Sequence, residues 1–492
     1  MFFAHYLATE GYIAAGSHHN RSEGWVLLWG GTGLFVFGFT MISQSAQFVC
    51  GLCLALASSV AMAQPSLLDH ALNVVTPQGS GLQTTSFGQS LAAIGAPRSA
   101  RGPVVFVGGY SSSPSNGGTQ TVRLSLGPPP QGTASSLWAL PPDISATTLA
   151  TGPDVNGDGV ADLVVGAPSA TNSAGSQRAG RVFVVDGTTG ALLMSAEGAT
   201  STEYFGTSVA LADILGDSKP ELIVGAPGGG PYQRGEVHIF NLANSQRANT
   251  FTDGTGGSRE FGTRVATADF DDDGKAEIVV GAPGNFYTDG TLIGSGAVQV
   301  FRSDGTPLTQ PYIGEIIPDT LYPGPNGDTT ERAGANLVVV DDISGDGVPD
   351  LASGGDDLSL GFLTFISGSD GSPLSRCRVQ NASAVAVTDA ADFDRDGRKD
   401  IGILTRGTIP LFAIIRGGHS AGQTTPLYEL ADPSLWQVSS FASVPFGLSR
   451  IFIFGEPNFQ SSQSGGRRGR VFTVMSPALP PPPATPSRVT CR

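Results

Sequence analysis

The chain has 492 residues, 40% of them hydrophobic and 14% charged, so it can bury a substantial core and has length enough for more than one domain. A net charge of −15 and a pI near 4.7 leave no basic face for a nucleic acid. High glycine (68) and proline (34) with few charges favour many short strands joined by turns over helices.

In chain order, residues 1–40 form an upstream hydrophobic segment of uncertain role. No charged residue occurs between Glu23 and Asp69, and Trp25 to Ile42 is long enough for a marginal membrane span. Residues 41–63 read as a secretory signal: an apolar run from Phe48 to Ala57, then Ala61-Met62-Ala63, which predicts cleavage before Gln64. A basic region beside Met41 is missing, the nearest cation being Arg21. The start at Met41, one unusually long signal and a retained anchor stay open; all three export the remainder. Membrane contact follows only if the upstream segment is kept. Cys50 and Cys53 fall within the signal; whether Cys377 and Cys491 form one disulfide clamping the tail stays open, since two cysteines so far apart in sequence are a weak basis for pairing. Asn381-Ala382-Ser383 is a glycosylation sequon.

From residue 64 a repeat sets the organisation. Its fullest copy is Asp269 to Pro283, DFDDDGKAEIVVGAP: acids at Asp269, Asp271 and Asp273, a glycine, Glu277, then an apolar run ending in Gly-Ala-Pro. Alternating carboxylates on a chain that turns sharply at glycine suit a hard divalent cation with several oxygen ligands. Further copies begin at Asp154 (with Asn156, Asp158, Asp162), Asp342 (with Ser344, Asp346, Asp350) and Asp392 (with Asp394, Asp396, Asp400). A degraded copy runs from Asp213 through Asp217 to Glu221, with Leu215 where a ligand should stand. Two more units, at Pro103 to Tyr110 and Ile451 to Pro457, keep the strand and lose the acids. The landmarks Gly108, Gly166, Gly225, Gly281, Gly354, Leu404 and Gly455 lie roughly 50 to 75 residues apart, a propeller-blade spacing.

Each unit reads as four strands. A first strand follows Phe-Gly (Phe205-Gly206, Phe261-Gly262), a fully apolar second strand ends in Gly-Ala-Pro, a third alternates behind a glycine (Gly180 to Val185, Gly235 to Phe240), and a looser fourth follows. The expected fold is all-β, a seven-bladed propeller of four-stranded antiparallel blades over residues 64–476. The last unit lacks its fourth strand, which is expected from Leu67 to Thr76, closing the ring and removing two open edges. Residues 477–492 are a proline-rich tail.

The order Phe-Gly, acidic loop, Gly-Ala-Pro resembles the FG-GAP repeat family, the seven-bladed propeller of integrin α subunits. That resemblance implies Ca²⁺ between first and second strands, held by Asp154, Asn156, Asp158 and Asp162; Asp269, Asp271, Asp273 and Glu277; Asp342, Ser344, Asp346 and Asp350; and Asp392, Asp394, Asp396 and Asp400. The carbonyls of Val160, Lys275, Val348 and Arg398 complete the shells. These are not EF-hands, because Val165 stands twelve positions into the first loop.

Loops between second and third strands gather on the opposite face. Ser169 to Ala179, Gly228 to Arg234 and Gly284 to Ser295 are such loops, and Tyr232, Arg234, Asn285, Phe286 and Tyr287 have recognition character. The insertion Pro307 to Glu331, with Tyr312 and Tyr322, is a second candidate. Gly418-His419-Ser420-Ala421-Gly422 matches a nucleophile elbow, but no histidine follows and the next segment is a strand. The six histidines show no metal-ligand spacing. The expected function is that of a secreted or cell-surface, monomeric, non-catalytic adhesion module for an extracellular protein or glycan. The alternative is a carbohydrate-active enzyme, which would need paired carboxylates on the ligand face; Asp289 is one acid there.

Overall fold

A computed structural model describes residues 148–253, 260–288, 291–314, 328–355 and 360–380, most of 382–456 apart from 418–425 and scattered positions, and the individual strands named below. The chain divides into two units, Met1–Gln64 and Pro65–Arg492. In the first, β1 (Ile13–Ser17), β2 (Glu23–Gly30) and β3 (Gly33–Thr40) form an antiparallel sheet. Trp25 to Gly30 and Gly33 to Thr40 are thus strand, and no helix among the described residues is long and apolar enough to cross a membrane. The signal-like segment 41–63, Asn381 and the Gly418 to Gly422 motif lie outside the described residues.

The second unit is a series of antiparallel meanders. They comprise β5 (Ser90–Ile94), β6 (Val104–Ser111), β7 (Gly118–Ser125) and β8 (Thr133–Ala139); β9 (Thr148–Thr151), β10 (Leu163–Ala167), β11 (Arg181–Val185) and β12 (Leu192–Glu197); and β13 (Ser208–Ala212), β14 (Glu221–Ala226), β15 (Glu236–Asn241) and β16 (Gln246–Phe251). Next come β17 (Arg264–Ala268), β18 (Glu277–Thr288), β19 (Thr291–Phe301) and β20 (Tyr312–Ile313), with a separate small pair, β21 (Ile316–Pro318) and β22 (Asp328–Thr330). Then follow β23 (Asn336–Val340), β24 (Asp350–Gly354), β25 (Leu360–Ile366) and β26 (Pro373–Gln380), and β27 (Ala382–Ala391), β28 (Asp400–Gly407), β29 (Leu411–Ile415) and β30 (Tyr428–Ala431). The last sheet combines β31 (Ser440–Phe446), β32 (Ser449–Glu456) and β33 (Arg470–Met475) with β4 (Asn73–Val75). Val75 pairs with Val471 and Asn73 with Thr473, so the strand expected between Leu67 and Thr76 joins the two ends of this unit.

The blade count needs a correction. Six sheets have four strands; the sheet β23–β26 carries a fifth, β34 (Val489–Cys491), on its outer edge. The tail is therefore not wholly a linker. Thr490 pairs with Arg378, and Cys491 stands opposite Cys377, which is disulfide-bonded. First strands of successive sheets lie side by side: β5, β9, β13, β17, β23, β27, β31 and back to β5.

Second strands are covered on both faces, and Leu163, Val164, Val165 and Ala167 are fully buried. At about 1.5–3 kcal/mol per buried aliphatic side chain, such runs supply much of the stability. The motif glycines have a steric cause. A Cβ on Gly166 would lie 2.2 Å from the carbonyl oxygen of Gly206 in the next blade, and one on Gly225 would lie 1.9 Å from that of Gly262. Phe205 and Phe261 are buried beside these contacts. Where Leu404 replaces the glycine, aromatic packing joins the blades instead, with Phe412 edge-on to Phe441 at 5.7 Å and to Phe454 at 5.6 Å.

Candidate functional site

Five acidic loops occupy the turns between first and second strands, on one face of the second unit. Their frame is common. In each, the first acid accepts N–H groups from across the turn: Asp154 from Gly157 at 2.6 Å and Gly159 at 2.5 Å, Asp269 from Gly274 at 2.9 Å, Asp342 from Gly345 at 2.6 Å and Gly347 at 2.8 Å, and Asp392 from Asp396 at 2.9 Å. The third acid accepts the N–H two residues on, from Val160, Lys275, Val348 and Arg398 at 2.8 to 3.0 Å. The degraded loop keeps this frame, since Asp213 accepts from Gly216 and Ser218, both at 2.7 Å, and Asp217 from Lys219 at 2.9 Å. The turn therefore forms without its alternating acids.

Its fourth and sixth positions are left-handed, at φ near +83° and +84° for Gly157 and Gly159. Asp272 and Arg395 adopt the fourth-position conformation without being glycine. From the sequence, only the glycine at the sixth position is expected as a turning point.

The closing acids are the buried members. Asp162, Glu277, Asp350 and Asp400, together with Glu221, each accept an N–H from the loop's second residue or its neighbour: Val155 at 2.7 Å, Phe270 at 2.8 Å, Ile343 at 2.7 Å, Phe393 at 2.6 Å and Ile214 at 3.1 Å. The second oxygens of Asp162, Asp350 and Asp400 accept from Gly187, Gly368 and Gly417, in the turn leaving the third strand. Burial, with neighbouring acids adding, pushes all five carboxyls up, Asp400 to about 6.

The residues fit a hard cation. Asp269, Asp271 and Asp273 bring carboxylate oxygens within 4.8 Å of one another, as do Asp392, Asp394 and Asp400. Asp269 Oδ1 is buried with no hydrogen-bond partner, an acceptor aimed at nothing in the chain. The remaining donors, Asn156 and Ser344 included, are all oxygen. Arg302 lies 3.3 Å from Asp271 and Arg416 2.5 Å from Asp394, balancing part of the charge. In the Asp154 and Asp342 loops the acids are turned towards the backbone N–H groups, and Asn156 donates to Asp186 at 2.6 Å.

The opposite face differs from expectation. Gly228 to Arg234 is a loop carrying the short 3₁₀ turn Pro231–Gln233, but Gly284 to Ser295 is not: β18 and β19 run on as a hairpin, and Asn285, Phe286 and Tyr287 pair with Ser295, Gly294 and Leu292. Tyr312 is no recognition residue. It is buried in the fourth strand, with its hydroxyl 2.9 Å from both Glu331 oxygens and 2.6 Å from Arg376. Tyr322 and Asp289 lie outside the described residues. Tyr232 is 88% exposed at φ +61°, with the Arg234 guanidinium 5.7 Å from its ring.

A group missed in the sequence sits beneath that loop. Glu203, Glu236 and His238 bring ligand atoms within 4.8 Å of one another. Glu236 and His238 are two apart on β15 and so share a face, a signal the histidine spacing did offer.

The architecture is an all-β propeller of antiparallel blades with acidic turns on one face. Residues 145–185, 205–240 and 261–301 match the FG-GAP repeat, so three of the five acidic loops fall inside matched repeats. Human integrin alpha-IIb is 32% identical over 186 residues, 35% of this chain and 17% of its own length. Mouse phosphatidylinositol-glycan-specific phospholipase D is 30% identical over 149 residues, 27% of this chain and 18% of its own. The matched stretch spans under a fifth of these relatives. The chain thus carries FG-GAP repeats in these stretches, and its propeller is similar to that of the integrin α subunits. Among solved structures, a Bacillus licheniformis rhamnogalacturonan lyase aligns over 81% of this chain and 65% of its own, at 14% identity and a TM-score of 0.38, too low to bear on chemistry.

Proposed function

We propose that the chain is an exported, calcium-stabilised binding module for an extracellular protein or glycan, without catalytic activity, in which the five-stranded sheet serves as the seventh blade. The signal would end at Ala63 and the propeller begin at Gln64. In the mature form the residues named from Asp154 to Asp400 would hold Ca²⁺, with the carbonyls of Val160, Lys275, Val348 and Arg398. The ion supplies positive charge to buried carboxylates; the chain supplies the preformed turns and the clamps from each closing acid to the next strand.

The observation that carries the binding reading is Tyr232. A tyrosine 88% exposed, held in a left-handed conformation and flanked by Arg234, stands on the face away from the acidic loops. Aromatic and arginine side chains dominate recognition surfaces, and such backbone strain persists where surroundings impose it. An array of glycans and extracellular proteins, probed with and without calcium, tests this. Binding lost in Tyr232→Ala supports the reading; binding indifferent to Tyr232 and Arg234 overturns it.

The carbohydrate-enzyme alternative gains one observation, since Glu203 and Glu236 are paired carboxylates on the ligand-side face. Glu203 and His238 are only 3% and 1% exposed, however, which leaves no room for a sugar bond between them.

A further inference from the structure

We propose that Glu203, Glu236 and His238 form a transition-metal site, best suited to Zn²⁺, separate from the acidic loops and beneath the Tyr232 loop. His238 is 1% exposed, yet its Nε2 makes no hydrogen bond. Glu203 Oε1 and Glu236 Oε2 lie 3.4 and 3.6 Å from that nitrogen. Donor atoms about 2.0–2.2 Å from a common tetrahedral centre stand about 3.4 Å apart, so these separations match the edges of a zinc tetrahedron. An imidazolium held only by the carboxylates would instead close to about 2.8 Å on one of them.

The surroundings already fix the donors. His238 Nδ1 lies 2.9 Å from Thr250 Oγ1, which can hold the tautomer that leaves a lone pair on Nε2. Glu203 Oε2 is taken up by the N–H groups of Ala199 and Thr200, both at 2.8 Å, leaving Oε1 for the site. A Cβ at Gly229 would lie 3.3 Å from Glu203 Cγ and 3.3 Å from Glu236 Oε2, so the loop backbone roofs the cluster. The Glu236 side chain, 20% exposed, gives the route in and leaves a fourth position open. One imidazole with two carboxylates favours zinc over calcium, which takes oxygen ligands. Metal here would also anchor the Gly228–Arg234 loop that presents Tyr232.

The test is equilibrium dialysis of the full chain against micromolar Zn²⁺ in millimolar Ca²⁺, so that acidic loops are competed, with Co²⁺ as a spectroscopic stand-in. The expected result is one retained equivalent of zinc and the intense visible absorption of four-coordinate cobalt. Thr250→Val should weaken zinc about 10–100-fold. Both His238→Gln and the more exposed Glu236→Gln should abolish that equivalent while the calcium-dependent melting shift persists, which separates loss of the site from loss of the fold. A wild-type chain that retains no zinc under these conditions overturns the proposal and makes the cluster a simple glutamate–histidine ion pair. So does unchanged zinc retention in folded Glu236→Gln.

Discussion

The carboxylate of Asp400 accepts the backbone N–H of Gly417 at 2.8 Å, tying its acidic loop to the turn that leaves the third strand of the same blade. Its other oxygen accepts from Phe393 at 2.6 Å. Asp400→Ala strands two donors, each costing about 1–3 kcal/mol. The expected loss is about 3 kcal/mol even in chelator, read from the denaturant midpoint. Glu221→Ala, in the loop without alternating acids, should lose a comparable amount, because its clamp to Ile214 and Leu215 owes nothing to metal.

Proton linkage gives a second expectation. Burial raises the Asp400 carboxyl to about 6 from an ordinary 3.8, and raises Asp162, Glu221, Glu277 and Asp350 in the same direction. The folded state then holds more protons than the unfolded between about pH 4 and 6, so this contribution is fully present below pH 4 and is lost as pH rises through 6. In chelator the melting temperature should fall across that window. Calcium competes for the same oxygens, so the gap between calcium and chelator curves should widen from pH 5 to 7.

Gly166 and Gly159 are both glycines of the first acidic unit and fail differently when substituted. Gly166→Ala drives a methyl into the Gly206 carbonyl at 2.2 Å and should cost about 3 kcal/mol, at the upper end for overpacking. Gly159→Ala meets nothing within 4 Å and should cost only the left-handed penalty, about 1–2 kcal/mol. Chemical denaturation of the two variants checks the order.

Cys377 is disulfide-bonded and faces Cys491 in register, holding β34 on the edge of β26. A disulfide typically contributes about 2–4 kcal/mol. Reduction should lower the denaturant midpoint accordingly and speed amide exchange at Val489 and Thr490 before the inner strands.

Much of this fold was legible because a short local rule repeats. The apolar second strands, the glycine-led third strands and the closing strand between Leu67 and Thr76 each follow from periodicity and from an unpaired edge. Features set by contacts between distant segments were not legible. β34 adds to β26 through register rather than composition. The β18–β19 hairpin continues past Gly-Ala-Pro through backbone pairing that its sequence resembles a loop in concealing. Tyr312 had the look of a recognition residue until Glu331 and Arg376 enclosed its hydroxyl. At the acidic loops the ligand pattern could be read, whereas the closing acid's second bond could not, since Gly187, Gly368 and Gly417 lie on another turn. Glu203 joins His238 from 35 positions away, beyond any motif window.

Counting bound calcium tests the account most directly. Equilibrium dialysis of the purified chain at millimolar Ca²⁺, followed by elemental analysis, should find four equivalents, one for each loop with a full set of acids. The melting temperature should rise with them, at about 2.7 kcal/mol per site when free calcium is 100 times the dissociation constant. A chain that stays free of calcium and melts identically in chelator would contradict it.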